Sequence, residues 1–256
     1  MYGNAMSIWH HIRALLAGGD WVAQAGSALG ELVERVRTVF QGDAQTRRRV
    51  AFSIALIALS AKMAKADGVV TQPEVDAFRE AFEVPPEELA NVARLYDLAK
   101  QDVAGFDLYA DRVRALFPGS EADDGAILRD VMDVLFHIAA ADGFVHEDEL
   151  AFLQITAERF GFDAVTFEAM RAIHAGGEAD PYVVLGADPS WSFDELKRHY
   201  RRRAAEAHPD RLIARGVPTE FLAGAQERAA AINAAWDAIV KGRGARPRVL
   251  ADAVPA

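Results

Sequence analysis

The tripeptide His208-Pro209-Asp210 constrains this chain more than any other feature, because it stands between two helical runs of opposite character. Before it comes Leu196-Lys197-Arg198-His199-Tyr200-Arg201-Arg202-Arg203-Ala204, and after it the apolar run Ala229 to Trp236. Proline lacks an N–H and disfavours a helical residue before it, so it ends the basic helix. The pattern predicts a helical hairpin that presents His208 and Asp210 at an exposed corner. Such a corner suits recognition by another protein.

Three stretches extend the pattern. Asp180-Pro181-Tyr182-Val183-Val184-Leu185-Gly186 precedes the basic helix, Asp194-Glu195 opens it, and Ala230-Ala231-Ile232-Asn233-Ala234-Ala235-Trp236 closes the hairpin. Together these residues resemble the J domain of DnaJ-type co-chaperones, with Trp236 where Tyr is usual. The segment Arg211 to Pro218, with its Gly and Pro, narrows the resemblance to the DjlA-type subgroup. The resemblance implies binding to a DnaK-class heat-shock chaperone and stimulation of its ATP hydrolysis. In it, Lys197, Arg198, Arg201 and Arg202 dock on an acidic surface, and His208, Pro209 and Asp210 trigger hydrolysis. Tyr182, Leu185, Leu196, Tyr200, Ile232 and Trp236 form the core. The ATP site lies in the partner, so no cofactor and no catalytic residue is expected in this chain. Two positions depart from the family: Arg203 stands where Leu is usual, and Ala207 where a bulky aromatic is. By helical spacing both are expected to face the third helix, which would loosen the core.

Charge is divided unevenly. Residues 1–179 carry 16 basic and 28 acidic side chains, while residues 180–242 carry nine of each. A basic face on a neutral module inside an acidic chain argues for one acidic protein partner. It argues against nucleic acid, which asks for a domain-wide positive excess.

The acidic part repeats itself at an offset of 75 residues. Ala66-Asp67-Gly68-Val69-Val70-Thr71-Gln72-Pro73-Glu74-Val75 aligns with Ala141-Asp142-Gly143-Phe144-Val145-His146-Glu147-Asp148-Glu149-Leu150. Each copy follows an apolar run (Phe52 to Met63, Ile127 to Ile138) and precedes an amphipathic one. The unit is helix, Asp-Gly turn, helix, with Gly68 and Gly143 suited to positive φ at a helix end and Thr71 with Glu74 forming a capping box. One unit cannot bury its apolar face alone, so the two are expected to pack into one bundle. Residues Pro85 to Lys100 and Phe106 to Phe117 add further helices. The region resembles the TerB-like helical domain, named for tellurite-resistance proteins. Some such domains are linked to metal through acidic residues, which here would be Asp67, Glu74, Asp142 and Glu149. An EF-hand loop needs alternating oxygen ligands ahead of its Gly, and that pattern is missing. The expectation is that these four cap turns and helices and that no metal is bound.

The absence of cysteine excludes disulfides and thiolate metal sites. No catalytic signature of the H-E-x-x-H, P-loop or G-x-S-x-G kind occurs. The longest apolar run, Val50 to Ala61, is shorter than the roughly 20 residues that a bilayer span takes, and reads as a buried central helix. No secretory leader is evident. The chain is therefore expected to be all-α and cytoplasmic. Its segments are an amphipathic N-terminal part (1–46), the TerB-like bundle (47–173), a linker (174–179), the J domain (180–242) and a disordered tail (243–256). DjlA-type relatives can carry an N-terminal membrane anchor, so peripheral membrane contact through Trp9, Ile12, Leu15 and Leu16 stays open beside packing on the bundle. The bundle is expected to recognise a client protein. The alternative reading is a TerB-type metal-stress or tellurite-response binding module with a degenerate J domain.

Overall fold

The computed structural model describes residues 13, 44–66, 78, 86–94, 106–117, 121–174, 179–217 and 222–244. Within these the fold is all-α. Helix α1 spans Ala44–Ala66, and a 3-10 turn at Pro86–Glu88 leads into helical residues 89–94. Then follow α2 (Phe106–Ala115), α3 (Glu121–Ala139), α4 (Glu147–Phe160), α5 (Ala164–His174), α6 (Pro181–Leu185), α7 (Phe193–Glu206), α8 (Pro209–Arg215) and α9 (Leu222–Gly244).

Apolar residues surround α1 on every side, and a helix of that composition must be enclosed. Val50, Phe52, Ile54, Leu56, Ile57 and Leu59 are fully buried in it. It packs on α3 and α4, where Val131, Met132, Leu135 and Phe136 are equally inaccessible. Leu56 and Leu135 thus share one core, as the two apolar runs predict. The turn between α3 and α4 also matches its sequence. Gly143 has φ +97°, a conformation that side chains disfavour. Asp142 Oδ1 accepts from the N–H of Phe144 at 3.0 Å, and Glu149 accepts from the N–H of His146 at 3.0 Å. Those two carboxylates therefore hold the turn and start α4. Asp67, Gly68, Thr71 and Glu74 lie outside the described residues.

The C-terminal hairpin has its own small core. Leu185, Leu196, Ala207, Ile232 and Ile239 are buried, with Tyr182, Tyr200 and Trp236 packed against them. Trp236 stacks on Tyr200 with ring centres 4.7 Å apart, and the Tyr200 hydroxyl donates to Asn233 at 3.1 Å. At the far end, Arg243 donates to the carbonyls of Pro189 (2.8 Å) and Trp191 (2.9 Å) and to the Tyr182 hydroxyl (3.1 Å). Arg243 and Gly244 therefore belong to α9 and not to a disordered tail. Residues 245–256 lie outside the described residues.

The hairpin is not an appendage. Leu212, Val217 and Ala225 are buried in the same core as the bundle. Helix α9 packs on α3 and α5, and α8 on α3 and α1. Gly216, with φ +100°, passes so close to α1 that an added Cβ would stand 2.7 Å from that of Arg48. The segment read as a linker is also shorter than expected. His174 is the last residue of α5 and is buried, its ring stacked on Phe136 at 5.4 Å.

Candidate partner-docking site

The corner forms because α7 cannot pass Pro209. Ser192 caps the start of α7, accepting from Glu195 N–H while the Glu195 carboxylate accepts from Ser192 N–H at 2.8 Å. Ala207 ends the helix, and its small side chain sits buried where the J domain usually places an aromatic. Pro209 then occupies the first turn of α8, where its missing N–H costs nothing. His208 caps that helix: its Nδ1 accepts from Asp210 N–H at 3.2 Å.

Asp210 is the most exposed member of the corner. Its side chain is 89% accessible, and that of His208 61%. The Asp210 carboxylate stands 3.7 Å from His208 Nδ1. An exposed carboxylate on a rigid helix start can accept a charge-assisted hydrogen bond from an outside guanidinium.

Lys197, Arg198, Arg201 and Arg202 are exposed along α7, while Leu196 is fully buried on the opposite side. Arg202 is the most constrained of the four. It donates to His199 Nδ1 at 2.8 Å and lies 3.9 Å from Glu206. His199 in turn donates from Nε2 to Leu185 O at 2.9 Å. Burial lowers the His199 pKa, which keeps the ring neutral and able to accept from Arg202. Among the described residues, no ion pair engages Lys197, Arg198 or Arg201. Their charge is open to a partner.

Arg203 is partly buried. It lines a cleft between α3 and α9, with Arg129 and Asp130 of the one and Arg228 and Ile232 of the other. The departure from Leu thus belongs to the contact between hairpin and bundle.

That contact holds charged residues that sequence reasoning passed over. Asp130 and Asp133 on α3 are buried. Asp130 accepts from Arg215 Nη2 (2.8 Å) and from Arg228 Nη2 (2.8 Å), and Asp133 accepts from Arg228 Nη1. His174 approaches Asp133 at 3.7 Å and Glu227 at 3.5 Å, while His137 bonds Glu227 at 2.8 Å. Burial raises the carboxylate pKa of Asp133, but Arg228 and His174 outweigh it and hold the group below its usual range. The one available signal was two acids interrupting the apolar run Ile127 to Ile138.

Comparison with known proteins agrees with this architecture. The family model of the tellurite resistance protein TerB matches residues 53–172. Co-chaperone protein DjlA of Photobacterium profundum is 28% identical, the match covering 90% of this chain and 95% of the relative. The protein of the same name in Haemophilus influenzae is 28% identical over 89% of this chain and 94% of its own. That of Escherichia coli is 22% identical over 91% and 95%. No solved structure matches significantly. A TerB-like helical bundle carrying a J-domain hairpin defines the class as a DnaJ-type co-chaperone. Within that class, the chain is similar to the DjlA co-chaperones along most of its length.

This similarity does not bear out the expectation of a cytoplasmic location. The chain aligns over about nine-tenths of its length with proteins named as DjlA co-chaperones, a name that carries no compartment. Of residues 1–43 only Arg13 is described, and it pairs with the buried Glu88 of the bundle. No helix among the described residues is long and apolar enough to cross a membrane.

Proposed function

We propose that this protein binds a DnaK-class heat-shock chaperone through its hairpin and stimulates that partner's ATP hydrolysis. Lys197, Arg198, Arg201 and Arg202 meet an acidic surface of the partner, and His208, Pro209 and Asp210 act at its ATPase. Asp210 supplies the trigger by pairing with a partner arginine. The reaction takes place in the partner, and this chain contributes no catalytic residue. The TerB-like bundle serves client or partner recognition.

The observation that carries the reading is the Asp210 carboxylate, almost fully exposed at a corner stiffened by Pro209 and next to the open cations of α7. Function as a DnaJ-type co-chaperone in the DjlA relatives supports it. The test is the steady-state ATPase rate of a DnaK-class chaperone with and without the full-length protein. Stimulation is expected from the parent and near-complete loss from Asp210→Asn, with helicity unchanged. Asn keeps the shape and removes the charge. Equal stimulation by both proteins would reject the mechanism.

A further inference from the structure

The charges in the cleft between α3 and the hairpin do not balance. The cleft encloses about 200 Å³ and is lined by Arg129, Arg203, Arg215 and Arg228 against the carboxylates of Asp130 and Glu206. Arg215 and Arg228 are already committed to Asp130 and Asp133. Arg129 and Arg203 are not. In each, Nε and Nη2 are buried without a hydrogen-bond partner among the described residues. Those two atoms form the edge with which a guanidinium grips an oxyanion through two parallel hydrogen bonds. Both edges are left open in one cleft, one on the bundle and one on the hairpin.

We propose that this cleft is a binding site for a small oxyanion of the phosphate class, clamped between Arg129 and Arg203. The claim goes beyond the docking reading and does not depend on it. Water needs only about 10–15 Å³ of such space and fits easily. It can satisfy the open N–H groups, but it supplies no counter-charge. Burial, and then repulsion by Arg129, pulls the Arg203 pKa down to about 10, so its surroundings oppose the charged form. Burial likewise lowers that of Arg129; Asp133 offsets part of this and Arg228 adds to it. A dianion favours the charged form of both. Phe162 and Ile232 form an apolar part of the wall, and a less polar surrounding strengthens a charge contact. The bound group bridges α3 to α7 and so fastens the basic helix to the bundle. Phosphoryl chemistry of this kind is offered by free phosphate, by a phosphorylated metabolite or by a phospholipid headgroup.

The test is isothermal titration calorimetry of the full chain with inorganic phosphate, ionic strength being held constant with chloride. Saturable binding with one site per chain is expected. Arg129→Gln and Arg203→Leu should each weaken it at least tenfold, because each removes one of the two open edges. Both variants should keep the parent's helicity and, without phosphate, an unfolding midpoint no lower than the parent's, since each deletes an unbalanced buried charge. Arg203→Lys, which keeps charge but loses the fork, should bind with intermediate strength. In a second arm, vesicles containing phosphatidic acid are cosedimented with the same proteins. Arg129- and Arg203-dependent sedimentation would place the phosphoryl group on a lipid, and its absence beside calorimetric binding would place it on a soluble molecule. Phosphate uptake that is absent, unsaturable or identical in parent and variants, together with sedimentation indifferent to both arginines, overturns the site.

Discussion

At the scale of single residues, the corner and the cleft differ in what surrounds each charge. Arg198 and Arg201 project into solvent with no ion pair among the described residues, so reversing them should leave the fold intact. Arg198→Glu with Arg201→Glu is expected to slow association with the DnaK-class partner, and the parent's affinity should fall with added salt. Stopped-flow association rates at two ionic strengths read this directly, and an unchanged rate assigns the basic run to solvation alone. Glu227 is a different case. Hydrogen bonds from His137 and then His174 hold its pKa at about 2. That lies below the ordinary 4.5, so its contribution to stability is complete above 4.5 and is lost as pH falls towards 2. The side chain is half-exposed, and solvent screening reduces the effect. His174 runs the other way. Burial lowers its pKa, but Asp133 and Glu227 outweigh burial and raise it above 6.5. Its contribution is complete below 6.5 and is lost as pH climbs through the raised value. Urea midpoints should therefore be highest between the two limbs, at about pH 5–6. Glu227→Gln should make the acid limb shallower, and an acid limb of unaltered slope would separate Glu227 from both histidines.

At the scale of elements, burial sets the cost of a change. Leu135 faces α1 with no accessible surface, and Leu135→Ala should destabilise the protein by about 2–5 kcal/mol. Asp142→Asn should cost far less, because Asn can still accept from the Phe144 N–H in the turn. Chemical denaturation of the two variants measures the difference, and equal losses would contradict the assignment of Asp142 to the turn. Much of this layer was legible in the sequence. Uniform apolarity marks α1 as enclosed, the Asp142-Gly143 pair marks a helix end, and Pro209 marks the corner, because each property acts within a few residues along the chain. Arg203 shows where such reading stops. Its helical spacing from Leu196 and Tyr200 points it at α9, and it does border Arg228 and Ile232 there, but Arg129 and Asp130 of α3, far away in the chain, share the same cleft. Periodicity tells which residues share a side and not which element covers that side. His174 was assigned to a linker for the same reason, since the residues after it are small and polar while its own contacts come from Phe136, Asp133 and Glu227.

At the scale of the whole molecule, the bundle and the hairpin are joined by one apolar layer and one buried ionic network. Leu212, Val217 and Ala225 complete the bundle core, so the hairpin cut away from it would expose them. Asp130 bridges Arg215 from α8 and Arg228 from α9, and Asp133 holds Arg228 a second time. Such a network adds little over an apolar contact of the same volume, but losing one member leaves its partners buried and uncompensated. The full chain should therefore unfold in one calorimetric transition. Asp130→Ala should cost about 3–5 kcal/mol and should separate the unfolding of the hairpin from that of the bundle, because the loss falls on the joint and spares both cores. Helix α8, which starts at the corner and ends at Arg215, would lose its anchor, and the hairpin would melt first. A variant that still melts in one transition, at the parent's midpoint, would show that the apolar layer alone holds the two parts together.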